Sequence, residues 1–292
     1  VPKTRLALQI AERELGWMNE KPAWGPGRDD AFNLPKYILA RSPWDKSVGN
    51  TDFPALWRLG DRDGYLLHAG GEAGSVAAVV ATSALGTGSF PTGGFDERNR
   101  WIEDFLRDLA PPLFPVDVAP IDAGLAERGK ALFDANCAEC HAKGGARTGK
   151  AIPLDEIGTD PAHVLTWQAR DAERMNLVTR TLGMDAEMLP AQGYVAKPLT
   201  GIWLRAPYLH NGSVPTLWDL LLPPPERPPV FYRGYNVVDL EKVGFIATTP
   251  EAEAEGFRFD TRLEGNGNGG HLYGTDLPEP DRRALIEYLK TL

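Results

Sequence analysis

Cys137-Ala138-Glu139-Cys140-His141 places two thiols three residues apart, with an imidazole directly after the second. These are the chain's only two cysteines. C-x-x-C-H is the attachment sequence for haem c. Each thiol can form a thioether to one haem vinyl group, and the adjacent histidine then lies under the iron with little freedom left to lose. Three alternatives compete with haem attachment. A zinc site needs two further ligand groups at suitable spacing, and no second cysteine pair exists. A redox dithiol of the thioredoxin kind needs a βαβ context before it, whereas an amphipathic helix pattern precedes these cysteines. The third is a chance pentapeptide. Haem attachment gives a role to all three reactive side chains at once. It predicts one covalent haem c with its iron, bound through Cys137 and Cys140, with His141 as proximal ligand.

What such an iron does depends on its second axial ligand. The candidates are His68, His163, His210 and His271, and the methionines Met18, Met175, Met184 and Met188. His271 ends the run Gly265-Asn266-Gly267-Asn268-Gly269-Gly270, and a glycine-rich backbone can approach a flat macrocycle closely. His271 is therefore the expected sixth ligand. Met184, Met188, His210 or an open position remain alternatives. Two histidines would give a low reduction potential, and a histidine–methionine pair a higher one.

The elements that must position these residues are partly visible. Asp122 can cap a helix that carries Leu125, Gly129, Leu132 and Phe133 and runs directly into the cysteines. A last helix starts at Asp281, with Leu285, Ile286, Tyr288 and Leu289 on its buried face. The chain between the cysteines and Pro280 is expected to be rich in loops. Before them, apolar spacing predicts a helix over 3–17 and another over 99–109, the latter with Trp101, Ile102, Phe105, Leu106 and Leu109 in one stripe. The stretch 21–74 is expected to be irregular and packed around Trp24, Phe32, Trp44, Phe53 and Trp57. Ala110 to Pro120 holds four prolines in eleven residues, which excludes helix and central strand. It divides an N-terminal domain, 1–112, from a haem domain, 113–292.

Of the 292 residues, 42% are hydrophobic and 24% charged, as in ordinary globular chains. The 31 glycines and 25 prolines favour loops over long elements. A formal charge of −9 argues against nucleic acid as a partner, since phosphate binding needs a basic footprint. It suits docking to a basic redox protein. No run of 18 apolar residues is present, so no membrane-spanning helix is expected. With both cysteines committed to one pentapeptide, no disulfide is expected elsewhere. The first residue is Val1 rather than Met, which fits a processed or truncated chain, and processing would fit export to the periplasm.

Two resemblances extend these expectations. Gly129-x-x-x-Phe133 before the haem motif, with Leu285-x-x-Tyr288 in the last helix, resembles the class I cytochrome c fold. That fold crosses its first and last helices at a glycine. Gly201 to Leu221, GIWLRAPYLHNGSVPTLWDLL, resembles a signature of the di-haem cytochrome c peroxidase and methylamine-utilisation haem-enzyme superfamily, in particular its rubber-oxygenase-like branch. The residues that carry it run from Leu204-Arg205-Ala206-Pro207-Tyr208 through His210-Asn211-Gly212-Ser213 to Thr216-Leu217. The resemblance implies that this loop lies beside the haem, with Arg205 pairing with a propionate and His210 close to the cofactor. The ligand methionine of the peroxidase branch is missing, because Pro224 stands at its position. Gly25-Pro26-Gly27-Arg28-Asp29 and Leu67-His68-Ala69-Gly70-Gly71 look like remnants of a first haem domain, and Trp44 and Trp57 like relics of an aromatic bridge. Either an upstream haem segment is absent from this chain, or the protein is a one-haem descendant.

The expectation that follows is a mainly α fold: a loop-rich N-terminal α domain and a class I cytochrome c-like haem domain with long irregular loops. The expected function is single-electron transfer with a redox partner protein in an exported compartment. A haem peroxidase or oxygenase, and a haem-bearing subunit of a larger redox complex, are the alternatives.

Overall fold

A computed structural model describes residues 16–292. The helix expected over 3–17 lies outside the described residues, apart from the start of a 3-10 turn at Gly16–Glu20. Among the described residues three helices precede the proline-rich break: α1 (Asn33–Ile38), α2 (Val76–Gly86) and α3 (Phe95–Asp108). Eight follow it: α4 (Ala123–Asn136), α5 (Ala138–His141), α6 (Leu154–Ile157), α7 (Ala162–Thr166), α8 (Ala169–Thr181), α9 (Leu217–Leu220), α10 (Pro250–Glu255) and α11 (Glu279–Leu289). The strands among the described residues are short: β1 (Arg28–Asp29), β2 (Thr51–Asp52), β3 (Ala151–Ile152), β4 (Tyr194–Val195), β5 (Val230–Arg233), β6 (Val238–Asp239), β7 (Gly244–Phe245) and β8 (Phe257–Asp260). They pair only as antiparallel two-stranded ribbons, β1 with β2, β3 with β4, β5 with β8 and β6 with β7. Helix dominates, and the strands serve as clips that fix loops.

The caps are the residues whose chemistry suits them. Ser75 accepts from the Ala78 amide at 3.1 Å to start α2, and Asp122 from the Leu125 amide at 2.9 Å to start α4. Thr216 does the same for α9 and Thr249 for α10.

The crossing of α4 over α11 sets the frame of the second half. A Cβ on Gly129 would overlap the Ala284 carbonyl and come within 2.9 Å of the Tyr288 Cβ. Only glycine allows the two backbones to meet this closely. One turn on, the Phe133 ring lies 5.2 Å from that of Tyr288. Phe133, Leu285, Ile286 and Leu289 form one apolar core with Ile202, Tyr208, Val214 and Leu217. A second core gathers Phe32, Leu85, Phe95, Trp167, Met175, Met184 and Met188. A third holds Leu59, Leu67, Val76 and Val80.

The structure refines the expectations at three points. The stretch after the cysteines is rich in loops, and within it α8 is a full helix with a capping box from Gln168 and Asp171. Its buried residues are Asp171, Ala172, Met175 and Thr179, so its inner face is half polar. The stripe of α3 is largely uncovered, with Trp101 69% and Phe105 54% exposed and their rings stacked at 6.1 Å. The helix is held instead by Phe95 in the second core and Leu106 against the third. Of the expected aromatic anchors, Phe32 is buried, but Trp44 (52%) and Phe53 (65%) are exposed. Trp44 stacks on Tyr37 at 5.1 Å.

Candidate functional site

α4 delivers the two thiols. The Cys137 amide donates to the Phe133 carbonyl at 2.8 Å, and the Cys140 and His141 amides both donate back to the Cys137 carbonyl, at 3.2 and 2.9 Å. One tight turn therefore holds both sulfurs and the imidazole. The thiols are half-buried and form no disulfide. Burial pushes the Cys137 thiol up to about 11 and raises that of Cys140. A redox dithiol needs the opposite shift. Among the described residues no three His, Cys, Asp or Glu side chains gather as a metal-ion site.

His141 is oriented by its other nitrogen. Its Nδ1 lies 2.7 Å from the Lys197 carbonyl. This contact fixes the tautomer with the proton on Nδ1 and leaves Nε2 as a lone-pair donor. Burial lowers the His141 pKa, so the ring stays neutral, as a metal ligand must be. Across the cavity stands His271, with ring centroids 6.1 Å apart. Two imidazoles that held one metal ion through bonds of about 2 Å would have ring centroids about 6 Å apart. His271 is lowered to about 3, by burial first and then by the facing His141 and Arg227. Its backbone is left-handed, at φ 46°, and its Nδ1 is buried without a hydrogen-bond partner.

The glycine-rich run before His271 is tied down from several sides. The Asn211 side chain donates to the Gly265 and Gly267 carbonyls at 3.2 and 2.9 Å, and Ser213 Oγ to Gly267 at 2.9 Å. Asp160 accepts from the Gly267 amide at 2.9 Å. The polar residues of the HNGS segment thus anchor the loop that carries His271.

Between the two histidines opens a cavity of about 690 Å³, inside the range of roughly 300–1,000 Å³ typical of cofactor pockets. Cys137, Cys140, His141 and His271 line it, with Leu217 and Leu289 among its apolar walls. Arg205 and Lys197 also face it. Burial and then the neighbouring Arg62 bring Arg205 down to about 10; burial, then Arg205 and Arg62, bring Lys197 down to about 7. Arg62 Nη2 is buried with no partner. Arg205 and Lys197 face the cavity with a third cation, Arg62, close behind them, and such crowding calls for an anionic guest. The residues present therefore fit a haem: two thiols for its vinyls, two imidazoles for its iron, and Arg205 with Lys197 for its propionates.

The other candidate residues lie around or behind this cavity. His210 lines it and stacks on Tyr194 at 3.8 Å, 18° from parallel. His163 is buried deeper, against Glu72, its Nε2 3.4 Å from Oε1. His68 packs edge-on to Phe32 at 6.5 Å. Met175, Met184 and Met188 belong to the second core and do not line the cavity. Lys197, Arg62 and the Glu72–His163 pair carry no mark in the sequence. Lys197 acts on His141 through its carbonyl, which every residue has. The one available signal was Pro198, whose ring restricts the residue before it.

Residues 126–202 match the family model described as cytochrome c, and residues 193–232 the model described as RoxA-like, cytochrome c-like. A cytochrome c domain is thus present, and it implies a covalent haem c with its iron. The second match lies on the rubber-oxygenase-like side of the c-type cytochromes. Two curated relatives are the uncharacterized proteins y4iJ and y4iM of Sinorhizobium fredii (strain NBRC 101917 / NGR234). The first is 31% identical over 65% of this chain and 42% of its own length, the second 34% identical over 65% and 53%. The chain spans about half the length of these relatives. Among the described residues no helix is long and apolar enough to cross a membrane.

Proposed function

We propose that this chain is an exported, periplasmic one-electron carrier with a single haem, bound by Cys137 and Cys140 and ligated on its two faces by His141 and His271. The observation that carries this is the pair of imidazoles facing each other at 6.1 Å across the cavity. The cofactor supplies a one-electron iron couple when bound. The protein's part is to hold both imidazoles neutral, to orient His141 from the Lys197 carbonyl, and to set Arg205 and Lys197 against the propionates. With His141 and His271 both holding the iron, no position on it would be left for a substrate. The electrons come from and go to a redox partner protein, within or outside a larger complex.

Intact mass and the visible spectrum of the matured chain test this. The expected result is the mass of one haem added to the chain, with a six-coordinate low-spin spectrum that carbon monoxide and cyanide do not perturb within minutes. A methionine-to-iron charge-transfer band in near-infrared magnetic circular dichroism would overturn His271 as ligand. The RoxA-like match supports a second reading, an oxygenase or peroxidase. Prompt carbon monoxide binding, or peroxide-dependent oxidation of a reduced donor by this chain, would move the assignment there.

A further inference from the structure

His141 and His271 are held in different ways. The His141 ring is fixed through its own Nδ1, whereas the His271 Nδ1 has no partner. The nearest ring beside His271 other than His141 is Tyr273, edge-on at 5.4 Å, which guides the imidazole without bonding it. The direction of the His271 ring is therefore set by its backbone, and that backbone sits at φ 46°, a conformation that residues other than glycine rarely adopt unaided. Two contacts hold it there. The His271 amide donates to the Ile157 carbonyl at 2.8 Å, and its carbonyl accepts from Arg227.

Arg227 is 2% exposed, and its guanidinium spends every hydrogen bond on backbone. Nη1 donates to Asn268 and Gly270 at 2.6 and 3.0 Å, and Nη2 to His271 at 3.3 Å. Toward the other side, Nη2 reaches Leu220 at 3.1 Å and Nε reaches Leu222 at 3.0 Å. One planar fork thus clamps the end of the glycine-rich run to the turn after α9. The Asn211, Ser213 and Asp160 contacts stop at Gly267, so they cannot replace it.

We propose that Arg227 is the positioning residue for the sixth iron ligand: its five backbone hydrogen bonds hold His271 in the left-handed conformation that aims the imidazole at the iron. This rests on His271 being that ligand. A buried guanidinium with no carboxylate of the described residues within bonding distance is costly to keep. Its five carbonyl partners give the physical reason it is there. Lysine offers three donors from one point and cannot span two loops as the fork does.

The test compares matured Arg227→Gln, Arg227→Lys and His271→Ala proteins with the parent, reading spin state and cyanide affinity beside haem content and thermal unfolding. Both Arg227 variants are expected to keep the covalent haem, to gain a high-spin fraction, and to bind cyanide about 10–100-fold more tightly, the usual scale when support behind a metal ligand is lost. A general loss of stability would lower the melting temperature without opening the iron in the folded protein. If His271→Ala keeps the parent's low-spin spectrum, the ligand assignment itself fails. If His271→Ala opens the iron while both Arg227 variants match the parent, the Arg227 proposal is overturned and the ligand assignment stands. Should neither Arg227 variant fold, hydrogen exchange of the Arg227 Nε–H in the reduced parent decides. Exchange as slow as that of the His271 amide supports the clamp, and free exchange overturns it.

Discussion

Among single residues, the Glu72–His163 pair responds most directly to pH. Burial alone would lower the His163 pKa, but the Glu72 carboxylate outweighs it and the net shift is upward from 6.5. Burial likewise opposes the Glu72 charge, yet His163 brings its pKa below the ordinary 4.5. Stability from the raised histidine is complete below 6.5 and is lost as pH climbs through its folded value. Stability from the lowered carboxyl is complete above 4.5 and is lost as pH falls through its folded value. The pair therefore stabilises most between those two pH values. His68 and His210 are both lowered by burial and tilt the total the other way, so the pair must be read as a difference. Glu72→Gln is expected to cost about 3–5 kcal/mol near pH 5.5. That cost should shrink steadily toward pH 9 in urea titrations. A cost that grows with pH would contradict the pairing.

At the scale of elements, the α4–α11 crossing depends on a missing side chain. Gly129→Ala puts a Cβ onto the Ala284 carbonyl, and the helices must separate to admit it. A loss of about 1–3 kcal/mol, or more, is expected from such overpacking. Thermal unfolding of the matured protein measures it, and an unchanged melting temperature would show the crossing to be looser than described. This crossing was legible through the resemblance to the class I cytochrome c fold that Gly129, Phe133, Leu285 and Tyr288 carry. The three side chains of the C-x-x-C-H motif were legible because covalent chemistry dictates their spacing. Other elements left no such trace. α8 turns Asp171 and Thr179 inward beside Ala172 and Met175, so apolar periodicity could not find it. α3 shows the reverse failure: its stripe is strongly apolar, yet Trp101 and Phe105 face outward. Amphipathicity reports that a face exists, not what covers it. Lys197 and Arg227 were invisible for a related reason, because backbone atoms, which every residue has, make half or all of their decisive contacts.

Across the whole molecule, a formal charge of −9 surrounds a site whose inner wall carries basic side chains, among them Lys197 and Arg205. The two fields can be separated kinetically. If the net charge governs encounter, reduction by a small cationic one-electron reagent slows as salt is raised, over the range where the Debye length falls from about 30 to about 10 Å. Reduction by an anionic reagent speeds up over the same range. The reverse dependence, followed by stopped-flow absorbance, would show that the inner cations dominate. Residues on both sides of the proline-rich break line the cavity, from Pro26 and Phe53 to Cys140 and His271, so the site draws on nearly the full described length.

The Lys197 carbonyl behind His141 has one more consequence. It belongs to a backbone followed by Pro198, and its partner imidazole directly follows Cys140, which would carry a thioether once haem is attached. As an iron ligand, that imidazole would have almost no soft coordinate along which to relax when the iron gained or lost charge. Reorganisation energy on that side would be small, and self-exchange would then be governed by edge-to-edge distance and driving force rather than by motion of the protein.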